Sequence, residues 1–156
     1  MNRLLSTLIV SFVCCLAPAA ARAAEAKPSE SADLKLVQGQ WQREITGADA
    51  ENGLRRATKE IKGNKETVTF YGEADKILRR HTVDFKLEKN GDTHVFTYSN
   101  MEVTDGEGKG TKTPDSFSYV YRADADNFFE VSGLLPGQED QPVTVVQWKR
   151  SKKSKD

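Results

Sequence analysis

His81 and His94 are the residues best equipped for acid–base or metal chemistry in this chain, which carries two histidines. An imidazole changes charge near neutral pH and offers a nitrogen lone pair to a metal. A working site needs more: a third ligand, or a carboxylate that orients the ring. No Asp or Glu stands at ligand spacing from either histidine. On the hairpin register derived below, His94 shares a face with Phe96, and His81 shares one with Val83 and Phe85. That register sets His81 opposite Asn100, far along the hairpin from His94. The two histidines therefore read as strand-end residues near barrel mouths, and no metal is expected.

Other reactive arrangements fare no better. Gly106-Glu107-Gly108-Lys109-Gly110-Thr111 looks like a phosphate loop. A glycine separates Lys109 from Thr111, however, and no helix follows, so the GxxxxGK[ST] geometry is missing. The stretch reads as a hairpin loop. Carboxylates are numerous, but a catalytic pair needs close approach and environments that split the two pKa values, and no spacing marks one. No G-x-S-x-G elbow is present. The two cysteines, Cys14 and Cys15, both fall in an apolar N-terminal run. The expectation is a non-enzymatic protein without a cofactor.

That N-terminal run reads as a secretory signal. Arg3 supplies the positive start, Leu4 to Leu16 is apolar but too short to be a stable membrane span, and Ala21-Arg22-Ala23 is an A-x-A-like cleavage site. Cleavage near Ala23 would leave a single domain with no cysteine, in a secreted or periplasmic location. That excludes cysteine nucleophiles, CxxC redox chemistry and Cys-ligated zinc. Phe12-Val13 before Cys14 argues against lipid attachment, which takes small residues there. The whole chain balances 23 basic against 23 acidic residues. Losing Arg3 and Arg22 leaves it slightly acidic, with no general attraction to nucleic acid. Lys149, Arg150, Lys152, Lys153 and Lys155 form a basic end, read as a solvated tail over 151–156. An envelope polymer is its alternative contact.

The elements that would position any site are mostly strands. Residues 24–33 form a polar arm, and Leu34 to Gln38 leaves room for one helical turn. Trp41 to Thr46 alternates weakly, and Gly47 to Gly53 is turn-rich. Arg55 to Lys62 fits a strand or a short helix. Gly63-Asn64 suits a two-residue turn into Glu66 to Tyr71, where Val68 and Phe70 share a face. Asn90-Gly91 is the strongest hairpin signal. With those two residues as the loop, Leu87 pairs with His94, Phe85 with Phe96 and Val83 with Tyr98, all on one face. Thr104 to Asp115 reads as a long loop. Ser116 to Arg122 alternates, with Phe117, Tyr119 and Tyr121 on one face. Asp124 to Asn127 turns the chain, Phe128 to Ser132 returns it, and Val143 to Trp148 is the final strand. Seven or eight strands without a long helix fit an antiparallel sandwich or barrel.

Leu36-Val37-Gln38-Gly39-Gln40-Trp41 resembles the L-x-G-x-W opening of the uncharacterised lipocalin-like domain family expanded in planctomycete bacteria. The Gly108-Lys109-Gly110-Thr111 loop, the Tyr121 to Phe129 hairpin and the final strand closing on Lys149-Arg150 follow in matching order. The resemblance covers most of 34–150. It departs from the family in Gln40, where Thr is common, and in lacking a cysteine in the later hairpin. It implies an all-β, antiparallel, up-and-down eight-stranded lipocalin-like barrel. It also implies that Trp41 closes one barrel end with Arg150 in cation–π contact across it; Gly39 before Trp41, and Trp148 on the last strand, read as the rest of that closure.

Small barrels fill their interior or hold one small ligand. Phe70, Phe85, Phe96 and Tyr98 are the residues that would line such a cavity, for a small apolar or amphipathic ligand. The alternatives are a protein-interaction or protease-inhibitor-like barrel acting through its arm, and an envelope protein held by its basic tail.

Overall fold

Turn chemistry sets the path of the chain. In this computed structural model, which describes residues 32–152, nearly every hairpin turns on a glycine or a short polar run. The signal and cleavage expectations, most of the arm and the tail beyond Lys152 lie outside the described residues. A helix α1 (Ala32–Val37) comes first, followed by β1 (Gly39–Glu44), α2 (Ala48–Glu51), β2 (Arg56–Lys62) and β3 (Lys65–Tyr71). The two long strands β4 (Ile77–Asn90) and β5 (Thr93–Gly106) come next, then β6 (Lys112–Thr113), β7 (Phe117–Ala123), β8 (Asn127–Ser132) and β9 (Thr144–Arg150).

Sequential antiparallel pairing runs β1–β2–β3–β4–β5–β7–β8–β9, and β9 returns to β1. The result is a closed eight-stranded up-and-down barrel, with β6 as a two-residue addition on β5. Closure removes the free sheet edges that invite aggregation. The β9–β1 seam is short, with Trp41 opposite Arg150 and Gln42 opposite Lys149. Bulges on β4 and β5 near Arg80–His81 and Thr82–Asp84 bend the longest hairpin, as a closing sheet requires. Asn100, at φ 54°, sits in the second of these.

Several local expectations need correction. The β4–β5 loop is Gly91-Asp92, with Asn90 opposite Thr93, so Phe85 pairs with Tyr98 and Leu87 with Phe96. Gly91 takes φ 61° while Asp92 does not take a positive φ. That is the pattern of a II′ turn, which needs a glycine only at its first central position. The slip moves every partner by two residues and so leaves the faces unchanged. His81 lies opposite Val103 rather than Asn100. Gly47 to Gly53 contains α2, and Thr104 to Asp115 is not all loop. β5 continues to Gly106, and Lys112–Thr113 folds back on Met101 and Glu102. The helix before β1 starts at Ala32, two residues ahead of the expected turn.

Alternation turns one side chain in two to the interior. Trp41, Ala57, Ile61, Val68, Phe85, Phe96, Tyr119, Tyr121, Phe128 and Trp148 form one buried cluster, joined by Val37 of α1. Leu54, Phe70, Leu87, Tyr98 and Val146 pack against it while keeping partial exposure.

Candidate functional site in the barrel interior

Gly39, Trp41 and Arg150 meet at the end of the barrel that carries α1. Gly39 adopts φ 107°, a conformation open to glycine, and a Cβ there would sit 3.1 Å from Arg150 Nη1. Trp41 has no exposed surface, and its indole Nε1 donates to the Val37 carbonyl at 2.8 Å. The Arg150 guanidinium lies 3.9 Å from the centre of the Trp41 ring. It donates to the carbonyls of Gln38 and Leu36, both at 2.8 Å, and to that of Ala125. One planar cation thus ties α1, β1 and the β7–β8 turn to the last strand. Asp33 adds a contact from α1 to β5, with its carboxylate 2.8 Å from His94 Nδ1. Trp148 stands elsewhere: its ring lies one pleat further in, 4.9 Å from Lys59 Nζ.

The centre of the barrel holds charge. Lys59 is 2% exposed and lies on β2 between inward Ala57 and Ile61. Its ammonium is 2.7 Å from Glu66 of β3 and is also paired with Glu130 of β8. Tyr119 of β7 donates its hydroxyl to Glu130 at 3.3 Å. The rings of Trp148, Phe128, Phe96 and Tyr119 surround Lys59 Nζ at 4.9 to 5.8 Å. Burial works against the Lys59 ammonium, but Glu130 and Glu66 together outweigh it and its pKa is raised. Burial also raises Glu66, against the pull of Lys59. The Tyr119 hydroxyl, buried beside both carboxylates, is pushed well up. The arrangement is a buried ion cluster that joins β2, β3 and β8.

Away from α1 the interior carries Arg43 on β1 and Arg79 and His81 on β4. Arg43 pairs across to Ala57, Ala57 to Phe70 and Phe70 to Arg79, so the two arginines share one row of the wall. The Arg43 guanidinium sits 5.2 Å from the Trp148 ring centre. Arg79 Nη2 approaches Met101 Sδ at 4.0 Å. The Nε atoms of both arginines, His81 Nδ1 and Trp148 Nε1 are buried without a hydrogen-bond partner. Burial, with Arg79 and Lys59 nearby, lowers the His81 pKa to about 4, so the ring is neutral at physiological pH.

Of the four aromatics considered for a ligand cavity, Phe96 is fully buried. It stacks on Phe85 at 4.4 Å and on Tyr119 at 4.9 Å. These two rings occupy the space between them. Phe70 and Tyr98 lie toward the mouth opposite α1, where Phe70 approaches His81 at 6.0 Å and Tyr98 stacks on Phe117 at 5.5 Å. Concavities of the surface include a polar groove of about 430 Å³ over β1 to β3, lined by Gln40, Thr58, Thr67, Thr69 and Tyr71. Another lies beside Asp33, His94 and Tyr121.

Sequence reasoning passed over Lys59, Glu66, Glu130, Arg43 and Arg79. Their signal was present: each is a charged residue at an apolar parity position, as in Ala57-Lys59-Ile61, Glu66-Val68-Phe70 and Trp41-Arg43-Ile45. In a barrel strand such a residue faces inward. Comparison of the chain with family models, with curated proteins and with solved structures finds no match.

Proposed function

We propose that the chain is an exported, non-enzymatic binding protein that takes a small amphipathic ligand through the barrel mouth opposite α1. The observation that carries this reading is the contrast between the two barrel ends. Val37 and Trp41 have no exposed surface beneath α1, while Phe70, Tyr98 and Val146 at the other end keep part of theirs. Partly wetted aromatic and aliphatic side chains around polar groups are the lining of a small-molecule site. The lipocalin-like resemblance of the Gly39 to Trp41 opening supports the same reading. Export rests on the signal-like segment ending near Ala23.

Native mass spectrometry of protein purified from its own host tests both parts. The expected protein starts at Ala24 and carries a small molecule that is released on denaturation. A bare mass, together with no change in tryptophan fluorescence when amphiphiles are titrated in, overturns the binding reading. A retained Met1 overturns export.

A further inference from the structure

We infer that the half of the barrel away from α1 is an anion site, in which Arg43 and Arg79 receive the acidic headgroup of the bound molecule. This rests on the binding reading above and gives that ligand its chemical class, a singly charged amphiphile such as a fatty carboxylate.

Three observations carry it. The first is placement. Arg43 and Arg79 stand in one row, linked through Ala57 and Phe70, and both face the interior: one lies over Trp148, the other reaches Met101. In an eight-stranded barrel, side chains from facing walls meet across the lumen. The second is the lack of protein acceptors. Three outward-facing arginines are matched: Arg55 bonds Glu73, Arg56 bonds Asp75 and Arg80 bonds Thr69 beside Asp105. Arg43 and Arg79 have no oxygen acceptor among the described residues, and the Nε–H of each is buried without a partner. A buried, unpaired donor on a cation is costly, and a bidentate carboxylate is the acceptor that best matches a guanidinium.

The third observation is the charge count. Among the described residues the interior carboxylates, Glu66 and Glu130, are both engaged by Lys59. With both ionised, Lys59, Arg43 and Arg79 leave one positive charge in excess in this part of the lumen. A single negative charge balances it. His81, one pleat deeper, also has an Nδ1 buried without a hydrogen-bond partner. Phe70, Tyr98 and Val146, at the same end of the barrel, keep partial exposure and offer apolar surface to the chain of the ligand.

The test compares three probes of similar chain length and different headgroup: octanoate, octan-1-ol and octyltrimethylammonium. Each is titrated into the full chain and followed by tryptophan fluorescence. Octanoate is expected to bind about tenfold or more tighter than octanol, a gap of the size that charge-assisted hydrogen bonds supply, and the ammonium probe weakest. Arg43→Met and Arg79→Met are each expected to weaken octanoate about tenfold and to leave octanol unchanged. Equal affinity for octanoate and octanol overturns the anion site but leaves the binding reading standing. Binding of none of the three overturns both. The headgroup comparison is made on the unaltered protein, so it decides even where a substituted chain fails to fold.

Discussion

Lys59 carries a full charge at a position with almost no solvent, and its two carboxylate partners come from strands on either side of the lumen. Breaking such a buried pair leaves uncompensated charge, whereas replacing the whole set with apolar groups is often tolerated. Lys59→Met is therefore expected to cost about 3–5 kcal/mol in urea denaturation at pH 7. Lys59→Met/Glu66→Met/Glu130→Met should recover most of that loss. The single variant has a pH signature as well. Without Lys59 to pull it down, Glu66 keeps the burial and the neighbouring Glu130 that raise its pKa, so the variant's stability should decline as pH rises from acid toward neutrality. His81 acts in the opposite sense. The unfolded chain takes a proton near pH 6.5 that the folded ring refuses until about pH 4. Its contribution is present above pH 6.5 and is lost as pH falls through that window. Solvent reaching this half-buried ring trims the effect to on the order of 1–2 kcal/mol. Denaturation of the parent and His81→Gln between pH 7 and pH 4 measures it, and the variant should show the shallower fall.

At the scale of elements, a single side chain holds α1, β1 and β9 together. Arg150 donates to three backbone carbonyls and covers Trp41. Arg150→Ala is expected to lower stability by about 2–3 kcal/mol. Arg150→Lys should recover little, because an ammonium cannot present a planar fork to three acceptors. Trp41→Ala removes a fully buried indole and should cost about 3–5 kcal/mol; an unchanged unfolding midpoint would refute its role in barrel closure. The order of strands was legible from turn signals at Gly63-Asn64, Asn90-Gly91 and Asp124 to Asn127. The hairpin register was not, because Asn90-Gly91 and Gly91-Asp92 are both sound two-residue loops and differ only in which residue takes positive φ. Closing the bulged β4–β5 ribbon onto β3 and β7 selected between them.

For the molecule as a whole, the barrel is unevenly fastened. β4 and β5 are paired from Asn90–Thr93 to Arg79–Gly106, while β1 and β9 share two register pairs. One further backbone bond, from Ser151 N–H to the Gln40 carbonyl, supports that seam. Local opening follows the segments with the fewest such bonds. Amides of β9 and of the β1 positions facing it should exchange with deuterium faster than those in the middle of β4 and β5. Arg150→Ala should widen that difference, since the seam depends on the clamp. Uniform protection around the barrel would count against this account.

Taken alone, the sequence determined the fold class, the order of strands, the inward parity of most aromatics and the glycine–tryptophan opening of β1. These depend on neighbours a few residues apart: pleat alternation, turn residues, and the φ freedom of Gly39 and Gly91. Tertiary structure alone decided what the inward residues meet. Lys59, Glu66 and Glu130 come from three strands, and Arg43 and Arg79 from two others. Each looks like an ordinary surface charge until barrel closure brings the strands around one lumen. Burial then pairs the first three, and leaves the two arginines facing the lumen without a direct carboxylate partner among the described residues.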